Sequence, residues 1–144
     1  MEQLIEKMKQ VLATQFAFYL KVHSFHWNVT GPNFSQYHAF WGDLYNELWA
    51  SLDEVAEHIR AIQGFAPGAL SRMQGLSNIS DQVEVPNAAD MFRIALADNT
   101  KMITVLTEAF RAAEDAGEVG LANFLQDRID IHKKHGWMLR ATAS

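Results

Sequence analysis

Residues 26–62 read HWNVTGPNFSQYHAFWGDLYNELWASLDEVAEHIRAI. Within them Trp41, Leu44, Leu48, Leu52, Val55, Ile59 and Ile62 recur at spacings of three and four without a slip. That period predicts an amphipathic α-helix from about Ser35 to Gln63, with Gly64 as its stop signal. Upstream, Thr30-Gly31-Pro32-Asn33 breaks the chain. Before the break, Leu4, Met8, Leu12 and Phe16 recur every four residues, and Tyr19, Val22 and His26 follow at three and four. These positions predict a first helix from about Glu2 to Val29. From Val11 onward apolar residues occupy nearly every face, more than a helix buried on one side needs. Two long helices joined by so short a break fold back as an antiparallel hairpin.

Working downstream, a connection of about 22 residues runs from Phe65 to Pro86 and contains Pro67, Gly68 and Gly75. A loop this long in a compact domain needs a reason, and a crossover that lets helices two and three run parallel supplies one. A short helical turn is expected around Asn78 to Val83. Asn87 is the candidate N-cap of the third helix, with Asp90 three residues on, and Gly117 marks its end. A fourth helix is expected from about Glu118 to Ala141, with Leu121, Phe124, Leu125, Ile129 and Trp137 as core candidates and Gly136 weakening its later half. No strand pattern competes. The expected fold is all-α, a four-helix bundle with a long crossover, in one domain over residues 1–144.

Composition narrows the chemistry. Cysteine is absent, which excludes disulfides, thiolate metal sites and cysteine catalysis. Net charge is −5, and neither terminus carries a basic tail, so DNA binding through phosphate neutralisation is not favoured. No apolar run approaches the roughly 18 residues of a membrane span. Charged Glu2, Glu6, Lys7 and Lys9 interrupt the start, so no signal peptide is expected and the expected location is the cytoplasm.

The candidate chemistry lies in His26-Trp27, His38, Asp53 and Glu57. Taken singly, each has a bland explanation: a hydrogen-bonded core histidine, a core tryptophan, a solvated acidic face. Together they form a pattern. The hairpin brings His26 and His38 to one end, while Asp53 and Glu57, at i and i+4, share a helix face. Imidazole with carboxylate is a usual ligand mix for iron, zinc or manganese. Yet His38 and Asp53 are separated by 15 residues of one helix, about 22 Å at the helical rise. No single ion touches both in the same chain. A shared metal therefore requires two subunits, and a two-fold dimer makes two identical sites.

His26-Trp27-Asn28-Val29, Gly31, Phe34, His38, Asp53-Glu54-Val55-Ala56-Glu57 and Ile59-Arg60 resemble the Dps family, the ferritin-like DNA-binding proteins from starved cells, also called miniferritins. The resemblance runs from the first helix to the Trp137 region. It implies a ferritin-like four-helix bundle with a short helix in the crossover, and a hollow homododecamer. It also implies inter-subunit ferroxidase sites where Fe(II) is oxidised by hydrogen peroxide or O2 and stored as ferric mineral. His26 and His38 would come from one subunit and Asp53 and Glu57 from its partner, with Trp27 beside the iron. One position departs: Gly42 stands where the family usually has an Asp ligand, with Asp43 next door. His23, one turn before His26, and Asp43 are thus further ligand candidates, and His58 is a candidate outer partner of Glu57. Zinc is a candidate surrogate ion. The resemblance also suggests iron-admitting pores near Glu114, Asp115, Glu118 and Asp127, and mineral nucleation by Asp43 and Glu47. Two other functions stay open: a catalytically weak shell that traps divalent ions, and a DNA-protecting shell.

Overall fold

The computed structural model describes residues 1–143. They form α1 (Glu2–Asn28), α2 (Phe34–Ala61), α3 (Leu70–Leu76), α4 (Ala88–Asp115) and α5 (Val119–Ala143). The four long helices make a bundle, and side-chain contacts fix its directions. Gln15 bonds Ser51 and His26 bonds His38, so α1 and α2 are antiparallel. Lys7 pairs with Glu108 and Lys21 with Asp98, so α1 and α4 are antiparallel too. It follows that α2 and α4 run parallel, as the long crossover required. On the remaining side α2 faces α5, through Glu47 with Arg128 and His58 with Phe124.

The predicted helical periods become the packed faces. Trp41, Leu44, Leu48, Val55 and Ile59 of α2 are all buried. They meet Phe18, Val22 and Phe25 of α1 and Met91, Phe92 and Met102 of α4 in one core. Trp41 stacks on Phe92 at 4.6 Å and meets Phe25 edge-on at 5.3 Å. Removing such a large buried aromatic from a close-packed core costs about 3–5 kcal/mol. Asn87 caps α4 as expected, its side chain accepting from the Asp90 amide at 2.8 Å.

Four details differ from the sequence reading. The short crossover helix is Leu70–Leu76, not Asn78–Val83. Residues after Ser77 stay extended because the Asn78 amide donates to Thr14 Oγ1 at 3.1 Å and Ile79 is buried in the core. The crossover is thereby pinned across α1. Trp137 is not a core residue; it is 58% exposed on the outer face of α5. At the end of α2, Gln63 rather than Gly64 takes the left-handed backbone, with φ 74°. Gly64 serves close approach instead: a Cβ there would lie 2.7 Å from Ile5 Cγ2. Gly136 does not weaken α5. It is buried where a Cβ would press to 3.1 Å on Asn99 Nδ2, so the small residue lets α5 sit tightly on α4.

Besides the Gln15–Ser51 bond, two buried polar links cross the bundle. Lys21 Nζ lies 2.8 Å from Asp98 Oδ2, and both side chains are only 5% exposed. The approach is off the hydrogen-bond direction, so the contact is chiefly Coulombic. The second link joins Glu47 to Arg128 and His135, Arg128 to His132, and His132 to Asn99. Glu47 therefore does not nucleate mineral as a free carboxylate. Burial alone would raise its pKa, but hydrogen bonds from His135 and Arg128 and the guanidinium charge hold it down to about 2. Burial first, and then the charge of Arg128, push fully buried His132 well below its usual 6.5.

Both shifts have the same sign for stability. The unfolded chain binds a proton at His132 below pH 6.5 and at Glu47 below 4.5, while the folded chain resists both. Stability present at neutral pH is therefore expected to decline below 6.5 and more steeply between 4.5 and about 2. Urea midpoints across that range check this. Glu47→Gln should lower the neutral plateau and flatten the acid limb; an unchanged acid limb would contradict the assignment.

Candidate metal centre

The break between α1 and α2 builds the centre. Gly31 adopts φ 121° and the Phe34 amide returns to its carbonyl at 3.1 Å, reversing the chain in four residues. His26, in the last turn of α1, then faces His38, in the second turn of α2. His26 Nδ1 lies 2.7 Å from the His38 carbonyl, and His38 Nδ1 lies 2.7 Å from the His26 carbonyl. A carbonyl oxygen only accepts, so each Nδ1 must carry the proton. In the neutral ring each Nε2 is then a lone pair, the tautomer a metal ion needs. The two rings stack at 3.8 Å, and Phe34 covers the His38 ring at 5.0 Å. Gly42, one turn after His38, opens the space beneath His26: a Cβ there would stand 3.1 Å from His26 Cε1.

His23 joins the same cluster but is engaged differently. Its Nδ1 lies 2.7 Å from Tyr19 Oη, and its ring lies flat on Tyr45 at 3.7 Å. Trp27, 59% exposed, packs against it at 4.2 Å. Burial first, then the neighbouring His26, lower the His23 pKa, which favours a neutral ring. Tyr19 and Tyr45 were not singled out from sequence. Tyr19 stands four residues before His23, one helical turn, and that spacing was the available signal.

Asp53 and Glu57 lie elsewhere. Both are exposed on α2, an unbroken helix that also carries His38. The 15-residue separation therefore holds in three dimensions, about 22 Å. Among the described residues no three His, Asp or Glu side chains converge to hold a metal ion. Asp43 is exposed beside Gly42. His58 turns toward α5 and packs on Phe124 at 4.3 Å, so it does not back Glu57 from the solvent face. Glu114 and Asp115 at the end of α4 and Asp127 on α5 are exposed, and Glu118 is half-buried in the turn.

Comparison with known proteins agrees with this architecture. A family model described as a ferritin-like domain matches residues 5–144. A "DNA protection during starvation protein" of Brevibacillus brevis is 31% identical over 135 residues, 93% of this chain and 90% of its own length. The crystal structure of Dps from Staphylococcus aureus superposes with TM-score 0.95 at 29% identity, covering 100% of this chain and 97% of that one. A Dps structure from Vibrio cholerae, described as a member of a broad superfamily of ferritin-like diiron-carboxylate proteins, shares the fold with TM-score 0.95. Its identity is 22%, over 99% of this chain and 90% of that one. The bundle, its crossover and these matches place the chain in the ferritin-like family, among the Dps proteins.

Proposed function

We propose that the chain is an iron-storage ferroxidase whose sites form between subunits. The observation that carries the reading is the His26/His38 pair. Two imidazoles locked in the metal-ready tautomer sit at one end of α2, and an exposed Asp53/Glu57 pair sits too far along the same helix to join them. A two-fold related copy closes the gap twice. Leu20, Trp27, Phe34 and Trp49 supply the apolar surface such a contact would bury, with exposures of 42, 59, 42 and 56%. Exposed apolar groups on this scale on one face mark an interaction site. Twelve copies would enclose the stored mineral, in the cytoplasm. For membrane insertion the structure offers no helix long and apolar enough to cross a bilayer among the described residues.

Iron is the substrate. Two carboxylates offset the charge gained when Fe(II) becomes Fe(III), two neutral imidazoles complete the donor set, and so small a ligand set leaves positions open for the oxidant. Hydrogen peroxide accepts two electrons. Two Fe(II) supply one each, and two protons complete two water molecules, so no hydroxyl radical is released. Trp27, at the edge of the cluster, is placed to reduce any one-electron oxidant that escapes. Stopped-flow oxidation of Fe(II) by peroxide tests the reading: rates well above iron in buffer support it. Rates equal to buffer would favour a shell that traps zinc or another divalent ion, the reading to which Gly42 lends weight by withholding a carboxylate. The net charge of −5 argues against DNA binding, whatever its relatives' names record.

Gly42 yields a prediction with opposite signs. Gly42→Ala should favour the helix by up to about 1 kcal/mol. The new methyl must displace the His26 ring by a few tenths of an ångström, because its Cβ would stand 3.1 Å from Cε1. Disturbing how a ligand histidine is held costs roughly tenfold or more in metal affinity. Thermal melts and metal titration check both, and tighter metal binding would contradict the packing argument.

A further inference from the structure

Tyr19 and His23 stand one turn apart on α1, flanked by two exposed tryptophans. Tyr19 Oη lies 2.7 Å from His23 Nδ1. A phenol is a far stronger acid than the N–H of a neutral imidazole, so the hydroxyl donates and the ring accepts. Burial, and then Tyr45 beside it, raise the Tyr19 pKa above its usual 10, so the phenol keeps its proton at rest. The His23 ring lies flat on Tyr45 at 3.7 Å, which holds Nδ1 toward Tyr19. Trp27 packs against His23 at 4.2 Å, and Trp49 lies 5.1 Å from Tyr19. Tyr45 comes closer to the His23 ring than Tyr19 does, but its hydroxyl makes no hydrogen bond among the described residues. Loss of one electron turns a tyrosine hydroxyl into a strong acid, so the electron leaves readily only where the proton has somewhere to go. Tyr19 has such a base at hand and Tyr45 does not.

We infer that Tyr19 and His23 form a proton-coupled redox pair that collects oxidising equivalents from Trp27 and Trp49. A one-electron oxidant, such as hydroxyl radical, takes an electron from an indole and is itself reduced to hydroxide. Tyr19 returns an electron to the indole radical cation while its proton passes to His23 Nδ1. A neutral tyrosyl radical and an imidazolium remain, and a one-electron reductant reverses both transfers. Tyr19 is the residue on which the oxidising equivalent comes to rest. This role rests on the donor function proposed for Trp27, yet it needs no metal, so its failure and that of the ferroxidase reading are told apart.

Laser photoionisation of the tryptophans in the metal-free protein tests the pair, with oxygen capturing the ejected electron. Trp137→Phe serves as the parent, because Trp137 sits apart on the outer face of α5. Transient absorption should show the tryptophan radical decaying as a tyrosyl radical grows. Tyr19→Phe, which removes only the hydroxyl, should remove most of that growth, and Tyr45→Phe should preserve it. His23→Gln keeps a polar side chain without a base and should slow the conversion by about a hundredfold, the lower end of what a positioned proton acceptor contributes. In the parent itself, deuterated water should slow the conversion, since a proton moves with the electron. A parent whose tryptophan radicals never pass to tyrosine would overturn the pair, whatever the variants do. So would an undiminished tyrosyl signal in Tyr19→Phe, a rate unaffected by His23→Gln, or equal rates in the two waters.

Discussion

Asp53→Asn is expected to reduce peroxide-driven Fe(II) oxidation by at least about a hundredfold while leaving the fold intact. The amide keeps the shape of the side chain but removes its charge and its capacity to bind Fe(III) strongly. Changing an outer partner of a metal ligand already costs roughly 10–100-fold, so loss of a ligand should cost no less. Asp53 is exposed and makes no hydrogen bond or ion pair among the described residues, so unfolding should shift by less than about 0.5 kcal/mol. Stopped-flow kinetics and a thermal melt on the same preparation separate the two effects. A near-normal rate would remove Asp53 from the centre.

Lys21→Met is expected to be among the most damaging single changes for stability. It leaves the Asp98 carboxylate 5% exposed with its cation gone. Breaking a buried pair from one side costs about 3–5 kcal/mol, a large part of a typical folding free energy. The double change Lys21→Met/Asp98→Leu removes both charges and should recover most of the loss, since an apolar pair avoids the desolvation penalty. Urea midpoints at fixed protein concentration measure both. A single-variant cost below about 1 kcal/mol would show that water reaches the pair.

The fold was legible where burial imposes a period. In α2 the spacing from Trp41 to Ile62 leaves one helical solution, and the structure packs most of those residues inward. It was not legible in the crossover. Leu70-Ser71-Arg72-Met73-Gln74-Gly75-Leu76 is too short to repeat a pattern, has no side-chain cap, and includes a glycine. Its position depends on Thr14, a residue 64 places away from Asn78 in the chain. Trp137 misled because hydrophobicity was taken as burial, whereas α5 turns it outward.

For the proposed centre, the sequence supplied candidate donors and the distance argument but not the internal arrangement. The reciprocal bonds between the His26 and His38 rings and carbonyls need the coordinates of the loop between them. The engagement of His23 by Tyr19 and Tyr45 was hidden because Tyr19 also satisfies the core period of α1 and Tyr45 lies on a different helix. The resemblance put Glu47 among cavity-facing acids that nucleate mineral, not in a buried network. Its partners Arg128 and His135 are 81 and 88 residues downstream, beyond the reach of any local rule.

Complementation between two inactive variants tests the account most directly. His38→Ala and Asp53→Ala are each expected to lack ferroxidase activity. Refolded together, a random half of two-fold interfaces should pair unlike chains, and each such interface contains one intact site and one doubly damaged site. Activity should return to about a quarter of the unmodified protein's. No recovery, in mixtures shown to contain mixed dimers, would contradict a centre shared between subunits.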